Sequence, residues 1–172
     1  NKTGNTNTKI LTGYIFDDVE LENLNNCLEN KKEFDQYIIA YIDFLGMKEK
    51  MQKESFETLK MIEFIVTGIR KVAEMIKSMN KLDEFKVRIF SDNVLIALKL
   101  NETDLKNQLI SVINLLTLIQ FTAFTPFNIM VRGAVTVGEL FISNEIVWGK
   151  GLIDAYLLEN EVAVYPRIIL SK

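Results

Sequence analysis

The sequence predicts an α+β fold in which helices pack on an antiparallel-rich central sheet. The first observation is the order of apolar patterns along the 172 residues, which reads β-α-(α)-β-β-α-β-β-α-β. The second is a strand at residues 37–44 with apolar residues on both faces, as expected for the middle of a sheet. The third is a hairpin at 84–98, where Ser91-Asp92-Asn93 joins two apolar runs. Hairpins that alternate with helical crossovers are typical of a ferredoxin-like sandwich.

The chain divides into an N-terminal extension, residues 1–34, and a single domain, residues 35–172. Residues 1–8 are polar and rich in Asn and Thr, which is typical of disorder. Asp17-Asp18 can cap a helix, so a short helix is expected after it. We therefore predict a partly disordered extension with one short helix, outside the core domain.

Periodicity and the residues that interrupt it predict the elements of the domain. Gly46 ends the first strand, and apolar spacing predicts helices at 47–52 and 55–80 that cover one face of the sheet. Thr103 is the expected N-cap of the next helix, and Pro126 is expected to end it. The remaining predicted elements are strands at 128–142, 146–148 and 166–170 and a helix at 152–162.

The composition excludes several kinds of site. The sequence has no histidine and one cysteine, Cys27, which rules out Ser-His-Asp and Cys-His catalysis, His-ligated zinc and an internal disulfide framework. A metal site must therefore use oxygen ligands, for which Mg²⁺ or Mn²⁺ is expected. The net charge of −3 argues against binding long nucleic acid through released counterions. Sparse cysteine fits a reducing cytosol, so a cytoplasmic location is expected.

The most apolar stretch, residues 105–127, is not expected to span a membrane. Polar residues interrupt it between Lys106 and Gln120. A helix that is apolar on most sides is more often covered by a sheet on one side and by another element on the other.

Asp43 and Asp92 are the main candidates for a functional site. Each ends or joins strands that are otherwise apolar, and an unpaired buried charge costs several kcal/mol. Both are expected at neighbouring strand ends on the sheet face opposite the helices, where a cation would offset their repulsion. The alternative is that each acid caps a turn or helix, and Asp92 in Ser91-Asp92-Asn93 is an ordinary turn residue.

Three glycine-containing segments are further candidates, each with a simpler alternative. Gly46 permits a tight turn whose helix start could bind phosphate, although glycine after a strand is common. Arg132-Gly133 lies in a strand, where Arg132 could bind phosphate or pair with Asp43 or another acid. The stretch 148–151 places Lys150 between glycines at a helix start, as either a phosphate contact or an ordinary connection.

Taken together, four segments resemble the catalytic domain of class III nucleotidyl cyclases. Their order and combination carry the resemblance, which covers about residues 36–171. The family's segments F-x-D-I-x-G-F, K-x-I-G-D-x-x-x-A, R-x-G-I-x-x-G-x-V and W-G-x-x-V-N-x-A-x-R-L-E are similar to residues 41–47, 88–97, 132–140 and 148–159, in that order.

The sequence departs from the family at residues that contact the nucleotide. The transition-state Asn and Arg fall on Ile153 and Leu157, and the base-reading acid and Lys fall on Ile146 and Arg88. The chain looks more like the bacterial pyrimidine cyclases of Pycsar anti-phage defence, which have similar segments at 155–159 and 165–168. This resemblance implies that UTP or CTP is converted to 3′,5′-cyclic UMP or CMP and pyrophosphate. It also implies a homodimer with active sites at the interface.

The resemblance implies metal and phosphate ligands at the first strand end and at the hairpin. Asp43 and Asp92 would be catalytic and would hold two Mn²⁺ or Mg²⁺ ions per site, with the Phe44 carbonyl as a further ligand. Backbone amides of the turn would hold the β- and γ-phosphates of the triphosphate; the turn residues are Leu45, Gly46 and Met47.

The same resemblance requires cations around the nucleotide. Arg88 would read the base edge or contact phosphate. Arg132, as a catalytic residue, and Lys150 and Arg167, as nucleotide ligands, are candidates for the charge missing at Leu157. The alternatives are a catalytically degenerate nucleotide-binding or interaction domain, a purine cyclase, and an unrelated ferredoxin-like interaction module.

Overall fold

The computed structural model describes residues 34–80, 85–143 and 145–171. The predicted N-terminal extension, apart from Phe34, lies outside the described residues. In chain order the elements are β1 (Asp35–Phe44), α1 (Met47–Lys53), α2 (Ser55–Asn80), β2 (Phe85–Phe90), β3 (Asn93–Lys99), a 3₁₀ turn (Glu102–Asp104), α3 (Leu105–Phe127), β4 (Val131–Ile142), β5 (Val147–Trp148), α4 (Lys150–Leu157), a π-helical turn (Leu158–Val162) and β6 (Ile168–Leu170).

The strands form one mixed sheet with β1 at its centre. The order is β2-β3-β1-β4-β5, and β6 pairs with β4 in the parallel direction. All other neighbouring strands are antiparallel. The order β4-β1-β3-β2 is that of a split β-α-β arrangement, in which the hairpin strand β3 lies beside β1. The predicted ferredoxin-like α+β sandwich is confirmed.

The larger core lies between the sheet and helices α2 and α3. Alternate side chains of β1 point to this face because successive residues of a strand point to opposite sides. Ile38, Ile42 and Phe44 are at most 1% exposed there, against Ile65 of α2 and Leu115 of α3. Each such side chain contributes about 1.5–3 kcal/mol by leaving water.

The expectation that helices cover only one face of the sheet is wrong. Helix α4 packs on the opposite face, where Ala155 contacts a second apolar cluster that includes Tyr37 and Ile39 of β1. Glycines permit this close approach, because a methyl group on Gly138 would lie 2.8 Å from the Gly151 Cα atom. Cover on both faces is consistent with the apolar residues on both sides of β1.

Both predicted ends of helix α3 are also wrong. A 3₁₀ turn precedes the helix, and Asn101 caps this turn by accepting a hydrogen bond from the Thr103 N–H. The helix itself begins after Asp104, whose side chain makes no capping hydrogen bond. Pro126 lies inside the last turn, and the helix ends at Asn128 with φ 54°. Proline has no N–H to donate, but the last helical turn still forms, because the Asn128 N–H donates to the Phe124 carbonyl at 2.8 Å.

Helix α3 is long and apolar enough to cross a bilayer by length and composition alone, together with its 3₁₀ turn. A core helix of a soluble protein passes the same test. One third of its most apolar window is buried in the protein, including Leu115 and Ile119 against the sheet. Packing in the core therefore explains the apolar residues on the buried side of α3.

Replacing Gly133 by alanine is expected to destabilise the fold by about 1–3 kcal/mol, as overpacking does. A methyl group there would lie 2.7 Å from the Tyr41 carbonyl oxygen, so the central pair β1–β4 must separate. Urea unfolding measures the change. The matched control is Gly68→Ala in α2, where the nearest atom to the new methyl is 4.0 Å away and alanine is expected to stabilise by about 0.5–1 kcal/mol. Equal stability of G133A and wild type would contradict the close packing.

Candidate active site

Asp43 lies at the carboxyl end of β1, on the sheet face that carries α4. Its register partners are Asn93 of β3 and Arg132 of β4. The next residue, Phe44, turns its side chain into the larger core and is 1% exposed. Since strand residues alternate, the burial of Phe44 directs the Asp43 carboxylate to the opposite face. Its side chain is 18% exposed.

Asp92 occupies the two-residue turn between β2 and β3, as the hairpin prediction requires. Ser91 adopts φ 58° in this turn, a conformation that non-glycine residues seldom adopt. The Phe44 N–H donates to the Asp92 carbonyl at 3.1 Å, which ties the turn to the end of β1. Asn93 donates its side-chain amide to Asp92 Oδ1 at 3.2 Å. The two predicted acids are therefore brought to one end of the sheet.

Arg132 links Asp43 to a third acid, Glu159. Its Nη2 atom donates to Asp43 Oδ2 at 3.1 Å, and its Nε atom forms an ion pair with Glu159 Oε1. Glu159 lies in the π-helical turn after α4, and its side chain is 3% exposed. Such π-helical turns occur often at functional sites. The predicted alternative, in which Arg132 pairs with Asp43, is what the structure contains.

The site has an excess of negative charge. Burial raises the pKa of Asp43, Arg132 opposes this rise, and the charge of Asp92 adds to it. Burial likewise raises the pKa of Glu159, against the effect of Arg132 and with a contribution from Asp43. The pKa of Tyr41 is raised by burial and then by these three acids and Tyr156. One guanidinium thus faces several carboxylates.

This charge balance and the donor atoms fit a divalent cation. Asp43 and Asp92 offer carboxylate oxygens. The Phe44 N–H faces the Asp92 turn, and the Phe44 carbonyl points to the same edge of β1 as that N–H. Mg²⁺ is typically bound by one or two carboxylates together with substrate phosphates. Among the described residues no three His, Cys, Asp or Glu side chains are grouped to hold a metal ion. Any cation here would therefore depend on the two aspartates, a carbonyl and non-protein ligands.

The turn after β1 opens helix α1 close to the two aspartates. Gly46 has φ 78°, and the space beside it is open. The Leu45 N–H donates to the Met130 carbonyl at 2.9 Å, so this amide is already used within the chain. Met47 buries its side chain in the core while its N–H belongs to the first helical turn, which has no carbonyl partner in the helix. Of the predicted phosphate-binding amides, Gly46 and Met47 are the ones compatible with that role.

Arg88 lies on β2 in the same row as Leu95 and Tyr41, two strands from β1. Its guanidinium donates to the Ser143 carbonyl through Nη2 at 2.6 Å and through Nε at 3.2 Å. Lys86 donates to the neighbouring Ile142 carbonyl at 3.0 Å. Both cations of β2 thus contact the far end of β4 in this structure.

Arg167 and Lys150 lie at different distances from Asp43. The Arg167 carbonyl accepts from the Gly133 N–H at 3.1 Å, next to Arg132, while its Nη2 donates to the Val162 carbonyl at 2.9 Å. Lys150 starts α4 beside Gly138. Gly138 is six residues from Arg132 along β4, or about 20 Å at about 3.3 Å per residue. Within one chain, the structure brings Arg167 near the aspartates and leaves Lys150 apart.

Glu159, Tyr41 and Tyr156 belong to the site but were not among the predicted site residues. The two tyrosine rings make an edge-to-face contact with centroids 5.8 Å apart. The available signal for Glu159 was an acid at the end of the cyclase-like segment 155–159. Its partner, Arg132, could not be identified from the sequence, because the rest of β4, strand β5 and helix α4 lie between the two residues.

The fold has a counterpart among solved structures. The crystal structure of the guanylyl cyclase Cya2 matches with a TM-score of 0.52 and 12% identity, over 81% of this chain and 76% of that chain. No family model matches the sequence. No curated protein matches it either. The chain therefore shares its fold, a mixed sheet with helices packed on it, with a guanylyl cyclase.

Proposed function

We propose that the protein is a nucleotidyl cyclase that converts UTP or CTP to the 3′,5′-cyclic monophosphate and pyrophosphate. The observation that carries this proposal is the placement of Asp43 and Asp92 at one sheet end with too little positive charge around them. The fold shared with a guanylyl cyclase supports the same reaction type. From the sequence resemblance, the product would be a second messenger in anti-phage defence.

The chain's own groups account for metal binding and phosphate positioning in this reaction. Asp43, Asp92 and the Phe44 carbonyl would hold two Mg²⁺ or Mn²⁺ ions. When bound, these ions supply a lowered pKa at the ribose 3′-hydroxyl and charge neutralisation at the leaving pyrophosphate. The N–H groups of Gly46 and Met47 would orient the β- and γ-phosphates at the start of α1. Arg132, held beside Asp43, adds a fixed positive charge next to the reacting phosphate.

A pyrimidine substrate fits the residues that replace purine-reading and transition-state groups in the sequence. Three apolar side chains occupy the positions of the family's purine-reading and transition-state groups. They are partly exposed: Ile146 48%, Ile153 57% and Leu157 41%. None can form a hydrogen bond to a purine edge. Of the four positions at which the sequence departs from the family, only Arg88 carries a polar side chain, and its guanidinium donates to the Ser143 carbonyl.

A homodimer would cover these exposed apolar side chains and complete the site. Trp148 of β5 is 69% exposed, and Ile153 of α4 is 57% exposed. Lys150 lies beside Gly138, which is about 20 Å along β4 from Arg132, so in this proposal Lys150 would reach a site with Asp43 from a second chain. We therefore include the interface between two copies in the proposal, with Lys150 supplied across it.

The proposal is tested with purified protein, Mn²⁺ and each of the four nucleoside triphosphates. The expected result is cyclic UMP or cyclic CMP with stoichiometric pyrophosphate, identified by mass spectrometry. A cyclic purine product would keep the cyclase and overturn the pyrimidine assignment. Binding of a triphosphate in calorimetry without any cyclic product, at high protein concentration, would favour a non-catalytic nucleotide-binding domain.

A further inference from the structure

The ion pair between Arg132 and Glu159 has no assigned role in the proposed reaction. Glu159 is 2% exposed and contacts Nε of the guanidinium, whereas Asp43 contacts Nη2. One positive charge is therefore shared between two carboxylates that belong to different elements. A buried carboxylate keeps its charge only with such a partner, so the contact fixes both side chains.

Glu159 is held in position by the backbone around it. The Ala163 N–H lies 3.2 Å from both the Leu158 and Glu159 carbonyls, which closes the π-helical turn. Helix α4, which precedes this turn, is fixed on the sheet by the contact of Gly138 with Gly151. The buried Glu159 side chain therefore lies in a turn closed by backbone hydrogen bonds and is paired with the guanidinium.

We infer that Glu159 is a positioning residue for Arg132, and that it sets how strongly the Asp43–Asp92 pair binds a divalent cation by holding part of the guanidinium charge away from Asp43. This inference rests on the metal site of the proposed function. Without the Glu159 charge, the whole charge of Arg132 acts on Asp43, as a competitor for an incoming cation. Close opposite charges interact far more strongly in a partly buried site than in water.

The test is Mn²⁺ affinity in the absence of nucleotide, measured from the free Mn²⁺ signal in electron paramagnetic resonance. Glu159→Gln keeps the shape of the side chain and removes its charge. We expect E159Q to bind Mn²⁺ about tenfold more weakly than wild type, a change of about 1.4 kcal/mol. In an Arg132→Gln background the same E159Q change is expected to weaken binding by less than about threefold, since no guanidinium remains to be released.

The matched control is Glu161→Gln, which removes an exposed carboxylate from the same π-helical turn. Its Mn²⁺ affinity is expected to equal that of wild type. Equal losses from E159Q with and without Arg132 would overturn the inference, because Glu159 would then act by its own charge alone. Unchanged affinity in E159Q would also overturn it.

Two further results keep the inference separate from the proposed function. If E159Q fails to fold, Glu159→Asp takes its place, since it keeps the charge but shortens the side chain that contacts Nε of Arg132. Weaker Mn²⁺ binding by E159D than by wild type, with no such difference between R132Q and R132Q/E159D, supports the inference. Equal affinities of E159D and wild type, or equal losses with and without Arg132, would overturn it. Mn²⁺ binding by wild type that does not depend on Asp43 would overturn the metal site itself. If wild type forms a cyclic product in the triphosphate assay but E159Q binds Mn²⁺ with the same affinity as wild type, the inference is overturned and the proposed function is retained.

Discussion

Asp43→Asn is expected to lower the rate of nucleotide cyclisation by about 1,000-fold or more. In the proposed reaction, the metal ions that this carboxylate would hold supply several kcal/mol of transition-state stabilisation, and each 1.4 kcal/mol corresponds to about tenfold in rate. The neutral amide keeps the size of the side chain and can still contact Arg132. The measurement is initial rate with saturating Mn²⁺ and the triphosphate that wild type prefers.

The matched control for this prediction is Asp35→Asn at the other end of the same strand. Asp35 pairs with Lys99 at 2.8 Å, and both side chains are more than a third exposed. Loss of such a pair costs at most about 1 kcal/mol of stability and should leave the rate unchanged. An Asp43→Asn enzyme with full activity would remove Asp43 from the metal site.

Thermal unfolding checks that the lost activity does not come from lost structure. Burial raises the pKa of Asp43 above its ordinary value near 3.8, so the folded protein disfavours the ionised form. The cost of that charge is present at neutral pH and disappears as the pH falls to the value of the unfolded chain. D43N should therefore be at least as stable as wild type near neutral pH, and this advantage should shrink in acid.

The strand arrangement followed from the sequence because local patterns determine it. Residues 37–44 are apolar on both faces, which identified the central strand, and the Ser91–Asn93 turn identified the hairpin beside it. Once the split β-α-β order was assumed, the ends of β1 and of the hairpin had to meet. The neighbouring positions of Asp43 and Asp92 were thus predictable from pattern and topology.

The third acid and the second helix layer depended on contacts between distant segments. Glu159 meets Arg132 only because α4 folds back across β4, and nothing in the spacing of residues 132–159 specifies that direction. The short π-helical turn that places Glu159 has no sequence signature of its own. The start of helix α3 was missed for a local reason, since Asn and Thr are both good caps, and Asn101 caps a 3₁₀ turn that precedes the helix.

Heterodimers that combine Asp43→Ala on one chain with Lys150→Ala on the other are expected to recover about half of the wild-type activity, although each variant alone is inactive. In a two-fold symmetric dimer with shared sites, one site of such a heterodimer carries both changes and the other carries neither. The reason to expect this pairing is that Lys150 lies beside Gly138, and Gly138 is about 20 Å along β4 from Arg132, the register partner of Asp43.

Two affinity tags on co-expressed chains allow the heterodimer to be purified away from both homodimers before its rate is measured. The control is a heterodimer of Asp43→Ala with Asp92→Ala. Both changes fall on the proposed metal ligands, which come from the same chain, so each site retains one defect and no activity should return. Recovery in this control would mean that Asp43 and Asp92 act in different sites, against the contact between the Phe44 N–H and the Asp92 carbonyl.

A Lys150→Ala homodimer with full activity would instead remove Lys150 from the site. The cation near the leaving pyrophosphate would then have to be Arg132 or Arg167, both of which lie on the Asp43 side of the sheet.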